Sequence, residues 1–339
     1  MSGKRDPPPS PGVADSFLDS YTKTVDADLL CTPDYEDILS SIRSSNNSTP
    51  GPDGIPFAAW RAVPEASAKV LFGVLDALLR GLTPPAGFNH GFLFLLPKKD
   101  TGLISDTRPI SVTNTDNRLL AKTVARSIMP AVTALLDPAQ KGFLAGISGY
   151  SHIEDINKFF YQGVADDSQK FVFLLDTAKA FDSIDHDWIF KVLRKAAFPD
   201  WLIHFVRCSL HDVKVGPFFG GPPSCLIPIL RGVKQGCPLS PLLFILSYDP
   251  LLSNVRAVSA AGSICPPPSP DPSVQPVEVA VPVSPFYPPT GPSFHFSHGS
   301  ALFDMPLIET PCQGLGPSVP SSPVIMRHTV CPMLYLSWG

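Results

Sequence analysis

The sequence predicts a mixed α/β (α+β) body set between proline-rich ends, and three observations carry that reading. Short apolar runs closed by a proline or an acid, FLFLLP at 92–97 and FVFLLD at 171–176, read as strands. Longer segments between them repeat leucine and valine at helical spacing, as in 66–80 and 119–132. Composition then changes near residue 262: seventeen of the 40 prolines follow it, while Lys and Arg dwindle to Arg327 alone. Text of that kind does not build a packed core. The expected organisation is a disordered lead over 1–30, folded regions over 31–170 and 171–261, and a disordered proline-rich tail over 262–339.

The elements follow in chain order. Residues 1–30 are polar and proline-punctuated. Thr32 offers an N-cap, Pro33 suits the first helical position, and Asp34 and Glu36 favour the first turn of a short helix reaching Ser44. STPGPDGIP at 48–56 is a dense turn signal. Ala66–Arg80 reads as a helix with Gly81 just past its end. Gly91–Asp100 is a strand with a basic exit, and RPISV at 108–112 is a second extended segment. Asn114 or Thr115 caps the helix carrying Leu119, Leu120, Val124, Ile128 and Val132, and a further helix covers Ser151–Tyr161. The Phe171–Leu175 strand comes next, then helices over His186–Ala197 and Pro199–Leu210. Val213–Gly232, β-formers among Gly and Pro, suggests a hairpin. Ser240 and Pro241 open an apolar helix that Pro250 kinks or ends. There is no internal repeat.

A net charge of −4 excludes a strongly basic nucleic-acid binder, and His90–Pro250 alone holds 17 Lys and Arg against 15 Asp and Glu. Any claim about nucleic acid must rest on placed residues. Seven scattered cysteines without a C-x-x-C pair suggest free thiols in a reducing compartment. The start lacks the apolar stretch of a secretory signal, and no apolar run approaches the ~20 residues that span a bilayer. The expectation is a soluble intracellular protein, in nucleus or cytoplasm.

Asp176 poses the chemical question. An acid ending an apolar run either opens a turn or holds a metal ion, and on local grounds the turn is the commoner outcome. Phe181 likewise reads as a core phenylalanine, the Lys98–Lys99 pair as a solvated loop, and Asp185 as a helix N-cap with Asp187 in its first turn.

The order of the segments changes that weighting. GPDGIP stands at 51–56, LLPKKD at 95–100 and RPISVTNTDNRLLAK at 108–122. QKGFLAGISGYSHIEDI follows at 140–156, LDTAKAFDSIDH at 175–186 and RGVKQGCPLSPLLF at 231–244. With these six blocks in order, the chain from Pro50 to about Leu252 resembles the reverse transcriptases of non-LTR (LINE-type) retrotransposons. The resemblance implies a right-hand polymerase, with a fingers region within 31–170 and a partial palm over 171–261. It further implies RNA-directed DNA polymerase chemistry on a primed RNA or DNA template with deoxynucleoside triphosphates. In that chemistry two Mg²⁺ ions (Mn²⁺ as substitute) stabilise the attacking and leaving oxygens.

Carried over position by position, Asp176 matches the first catalytic palm aspartate and metal ligand, with the backbone carbonyl of Thr177 as a second ligand. Carboxylates suit the task because Mg²⁺ prefers oxygen ligands. Phe181 falls where an aromatic ring lies beneath the incoming sugar and leaves no room for a 2′-hydroxyl. Lys98, Lys99 and Arg108 match positions that meet triphosphate and template, Arg by bidentate contact and Lys as a point charge. Gln235 and Gly236 match the loop lining the nascent base pair. Lys122 and Arg126 divide between a solvated helix face and a template contact.

The family's remaining motif, a hairpin with two adjacent aspartates, should follow the 231–244 block. After Pro241 the acids are Asp249, Asp271, Glu278, Asp304 and Glu309, none adjacent; the ADD at 165–167 precedes the Asp176 run and reads as a turn. Without that pair Mg²⁺ would be held weakly, and the loss of rate would be on the order of a thousandfold or more. The expectation is therefore a domain truncated in its palm and weak or inactive. Two alternatives stand beside it: a non-catalytic nucleic-acid-binding remnant, and a proline-rich interaction protein whose Arg5–Pro11 segment has the spacing of an SH3 ligand.

Overall fold

The computed structural model describes residues 11–260 apart from 139, 145, 147–149, 166–179, 222 and 224. The expected strand at 171–175, Asp176 and Thr177, the tail from 262 and Arg5–Ser10 of the SH3-like segment lie outside the described residues.

Among the described residues the chain forms ten helices and one four-stranded mixed sheet. The helices are α1 (Pro11–Asp19), α2 (Tyr35–Arg43), α3 (Phe57–Ala62), α4 (Pro64–Leu79), α5 (Thr115–Leu135), α6 (Tyr150–Ala165), α7 (Ala180–Ser183), α8 (His186–Lys195), α9 (Asp200–Leu210) and α10 (Ser240–Ala260). The strands are β1 (His90–Pro97), β2 (Thr107–Thr113), β3 (Lys214–Pro217) and β4 (Ile227–Pro228), in the order β2-β1-β3-β4. β1 and β2 form an antiparallel hairpin with Leu96 opposite Arg108 and Phe92 opposite Val112. β3 joins β1 in parallel, and β4 returns antiparallel to β3 with Val215 opposite Ile227.

Local chemistry explains most boundaries. Helix α2 begins two residues later than Thr32 and Pro33 suggest, because Asp34 and Asp37 make a reciprocal capping box: Asp37 N–H donates to Asp34 Oδ1 at 3.0 Å and Asp34 N–H to Asp37 Oδ2 at 3.1 Å. Pro64 occupies the first position of α4, where its missing N–H removes no helical bond. Helices α5 and α10 run on through Pro130 and Pro250. Their apolar faces, with those of α2, α4, α8 and α9, meet in one core that includes Ile38, Leu75, Leu120, Ile189, Leu202 and Phe244. Each such side chain stabilises the fold by about 1.5–3 kcal/mol on burial.

The lead differs from its expected disorder over residues 11–30. Leu18 and Tyr21 are buried, Phe17 packs on Trp188, Asp15 pairs with Lys191 at 2.6 Å, and Val25 N–H donates to the Ala196 carbonyl at 2.8 Å. The anchor is Asp249 of α10, wholly buried. Its carboxylate accepts from Tyr21 Oη at 2.8 Å, Lys23 Nζ at 2.9 and 3.1 Å, and Asp137 N–H at 2.8 Å. Burial, reinforced by that carboxylate, pushes the Tyr21 phenol above its usual range. No helix among the described residues is long and apolar enough to cross a membrane.

Candidate functional site

The 231–237 loop is the hub of the site, and backbone hydrogen bonds pin it on two sides. Gly232 N–H donates to the Ile184 carbonyl at 2.7 Å and Val233 N–H to the Phe181 carbonyl at 2.8 Å. On the other side Ser111 N–H, from β2, donates to the Gln235 carbonyl at 2.8 Å. Both contacts demand glycine. Gly232 has φ +80°, and a Cβ there would stand 2.5 Å from the Phe181 carbonyl oxygen. Gly236 has φ +115°, and its Cβ would stand 2.6 Å from the Ser111 carbonyl oxygen.

Side chains extend the same connection. Gln235 Nε2 donates to Asp182 Oδ1 at 3.0 Å, and His186 Nε2 lies 2.8 Å from the Gly232 carbonyl. Asp185 accepts from Asp187 N–H at 2.9 Å, the N-cap expected of it, and so starts α8 beside the loop. Phe181 is half-buried: its ring stacks on Phe244 at 4.7 Å with a 7° interplanar angle and meets the Phe143 edge at 5.7 Å. The stack continues from Phe244 to Tyr248 at 5.1 Å. The ring orientation of Phe181 is thus set by α10, one turn into which Phe244 sits.

Beneath the loop lies a polar network that sequence reasoning did not single out. Lys234 is buried with its Nζ 3.2 Å from Asn89 Oδ1, which also accepts from Asn117 Nδ2 at 3.0 Å. Asn89 Nδ2 in turn donates to the carbonyls of Cys208 and His211, both at 2.7 Å. Burial holds the Lys234 ammonium below the ordinary lysine range, with Cys237 acting weakly the other way. Nothing in the run RGVKQG marks its lysine as interior, because the partners come from the turn before β1, from α5 and from the end of α9. Ser111 was equally silent, since its contribution is a backbone N–H. Asp182 stands in the same block as Phe181, and its pairing with Gln235 needed the fold.

Lys98 and Lys99 leave β1 at the turn to β2, and Arg108 is the second residue of β2; all three are exposed. Lys98 N–H donates to the Asp106 carbonyl at 2.7 Å and closes the turn. None of the three makes an ion pair among the described residues. Arg108 lies three positions along β2 from Ser111, roughly 10 Å of strand. The fold therefore joins Arg108, Phe181, Gln235 and Gly236 through one strand and one loop, with Lys98 and Lys99 at its outer end. Among the described residues no three His, Cys, Asp or Glu side chains converge as a metal centre, and Asp182 alone does not make one.

Residues 96–264 match the family described as Reverse transcriptase (RNA-dependent DNA polymerase). The chain is 32% identical over 234 residues to the Retrovirus-related Pol polyprotein from type-1 retrotransposable element R2 of Popillia japonica, covering 67% of this chain and 31% of that protein. It is 32% identical over 228 residues to the Retrovirus-related Pol polyprotein from type-2 retrotransposable element R2DM of Drosophila melanogaster, covering 65% and 20%. It is also 24% identical over 212 residues to the Transposon TX1 uncharacterized 149 kDa protein of Xenopus laevis, covering 62% and 16%. The chain spans less than a third of the length of these relatives.

Proposed function

We propose that this chain, which belongs to the reverse transcriptase family and is a reverse transcriptase domain of the non-LTR retrotransposon kind, binds a primed template and a deoxynucleoside triphosphate in a cleft floored by the 231–237 loop where it is pinned to β2. The single observation that carries this reading is the Gln235–Gly236 loop, pinned between β2 and the Phe181–Asp182 turn. In this reading the β1–β2 hairpin with α2–α5 forms the fingers, and the chain from residue 171, β3 and β4 included, contributes to the palm.

Each residue then has a task its chemistry suits. Lys98, Lys99 and Arg108, exposed and without carboxylate partners among the described residues, take the triphosphate and template phosphates. Gly236 lets the loop backbone lie directly against β2, which fixes Gln235 where the nascent base pair would be lined. The Phe181 ring, braced by Phe244, lies under the sugar and disfavours a 2′-hydroxyl. Polymerases of this family use divalent metal ions, which supply charge stabilisation at the reacting phosphate. Asp176 and the Thr177 carbonyl are the proposed ligands. The sequence after Gln235 has no adjacent acidic pair to join them, so we assign this chain binding of nucleic acid with weak metal affinity and negligible extension.

Salt dependence of primer–template binding tests the reading. Affinity should fall steeply with ionic strength, and substituting Lys98, Lys99 and Arg108 together should shallow the log–log slope by about 2.7, three duplex phosphate contacts. A triple variant that keeps the wild-type slope would remove these cations from the site.

A further inference from the structure

A second group of cations, distinct from Lys98, Lys99 and Arg108, surrounds the 44–50 loop. Helix α5 carries Arg118, Lys122 and Arg126 at successive four-residue steps, so the three share one face, each about 6 Å further along the axis. Arg118 donates to Ser48 Oγ at 2.9 Å and the Thr49 carbonyl at 2.6 Å. Lys122 Nζ donates to the Ser44 carbonyl at 3.0 Å and Ser44 Oγ at 3.1 Å, and Arg126 Nη1 reaches the same Ser44 Oγ at 3.1 Å. From α3, Arg61 donates to the Ser45 carbonyl at 2.7 Å and to Asn47 Oδ1. Arg43, at the end of α2, pairs with Glu65 at 2.7 Å.

The charge of this group is largely unbalanced. Arg43 has a carboxylate partner, whereas Arg61, Arg118, Lys122 and Arg126 make no ion pair among the described residues and bond instead to neutral oxygens. Asp53 acts on Arg118 only through space. The closing dipole of α2 accounts for some attraction to Lys122, but one serine hydroxyl shared by two cations cannot neutralise both. Burial, and then the charge of Arg126, lower the Lys122 pKa, so the fold holds like charges together. A bound anion would relieve that repulsion. Arg126, Asn46, Asn47 and Ser48 are exposed and offer it further donors.

We infer that this face is a second binding surface for the phosphodiester backbone of a nucleic-acid strand, outside the nucleotide cleft. Arg108 and Thr113 stand at opposite ends of β2, about 17 Å apart, and the stripe on α5 starts just beyond Thr113 and extends about 12 Å along its helix. A template strand longer than the cleft supplies evenly spaced phosphates of the required charge, whereas a free nucleotide reaches only one end. The inference rests on the proposed primer–template binding, and its test separates the two.

Full-length chain is titrated by fluorescence anisotropy, over a range of salt, with a blunt primer–template, the same duplex with a long single-stranded template overhang, and the single strand alone. Wild type should bind the overhang substrate more tightly than the blunt one and with a steeper salt slope. Lys122→Gln with Arg126→Gln should shallow the overhang slope by about 1.4, two single-strand phosphate contacts, and leave the blunt duplex unaffected. Lys122→Arg with Arg126→Lys should retain the wild-type slope. Arg126→Glu, at an exposed position with one hydrogen bond, should weaken overhang binding even if the double variant fails to fold. A folded double variant or Arg126→Glu with wild-type affinity and slope on the overhang overturns the inference and leaves the cations as caps of α2. Loss of binding to the blunt duplex on substituting Lys98, Lys99 and Arg108, with no effect of the α5 variants anywhere, leaves the cleft reading standing and this one refuted. Failure of wild type to bind any of the three substrates refutes both.

Discussion

Gly236→Ala should dislodge the loop at the centre of the site. The new Cβ would stand 2.6 Å from the Ser111 carbonyl oxygen, closer than real Cβ contacts come, and the neighbour is backbone of β2, which cannot swing aside. The φ of +115° is itself strained for alanine, by about 1–3 kcal/mol. Relief requires the loop to lift off β2, which breaks the 2.8 Å bond from Ser111 N–H to the Gln235 carbonyl and removes about 1 kcal/mol more. The expected total is about 2–4 kcal/mol, taken either as lost stability or as lost affinity, since Gln235 moves with the backbone. Urea unfolding and primer–template binding measured on the same preparations apportion it. Gly54→Ala is the control: its φ is +71° but nothing lies within 4 Å of a Cβ, so it should show backbone strain alone. Gly236→Ala with wild-type stability and wild-type affinity would refute the claim that this close approach builds the site.

Two further outcomes concern the interior. Asp249→Ala should destabilise the fold by about 3–5 kcal/mol in urea unfolding, because it strands Lys23 and leaves Tyr21 Oη and Asp137 N–H without their acceptor; a change under 1 kcal/mol would contradict the anchoring of the lead. Lys234 has a lowered pKa in the folded chain, so the unfolded chain keeps its proton to higher pH. Stability of wild type relative to Lys234→Met should therefore rise with pH from the folded pKa toward the unfolded value near 10.4. Asn89 Oδ1 keeps its bond from Asn117 in that variant, and a pH-independent difference between the two proteins would place Lys234 in water.

What could be read before the fold was known follows from how local each signal is. The apolar run closed by Pro97 and the RPISV segment became the β1–β2 hairpin, because a short apolar run and the proline that closes it act within a few residues. Gly-and-Pro text over Val213–Gly232 became the β3–β4 pair for the same reason. The parallel joining of β3 to β1 is a contact across about 120 residues and left no local mark. The start of α2 was misplaced because Thr32 and Pro33 are individually good signals, whereas the Asp34–Asp37 pair satisfies two backbone donors at once. The lead read as disordered because its polar composition hides two anchors, Tyr21 and Lys23, whose partner Asp249 lies 228 and 226 positions away. At the site, block order singled out Phe181, Gln235 and Gly236 as candidates; the Ser111 backbone N–H, the His186 ring nitrogen on the Gly232 carbonyl and the buried Lys234 depend on partners distant in sequence, which a string of letters does not record.

Primer extension set beside primer–template binding tests the central claim most directly. At protein concentrations that saturate the primer–template, the account predicts negligible extension in Mg²⁺ or Mn²⁺, on the order of a thousandfold or more below a complete two-metal polymerase. It predicts also that Asp176→Ala leaves binding little changed, because the phosphate contacts belong to the cations. Robust extension by the wild-type chain, abolished by Asp176→Ala with binding intact, would contradict it and would require a second carboxylate working beside Asp176.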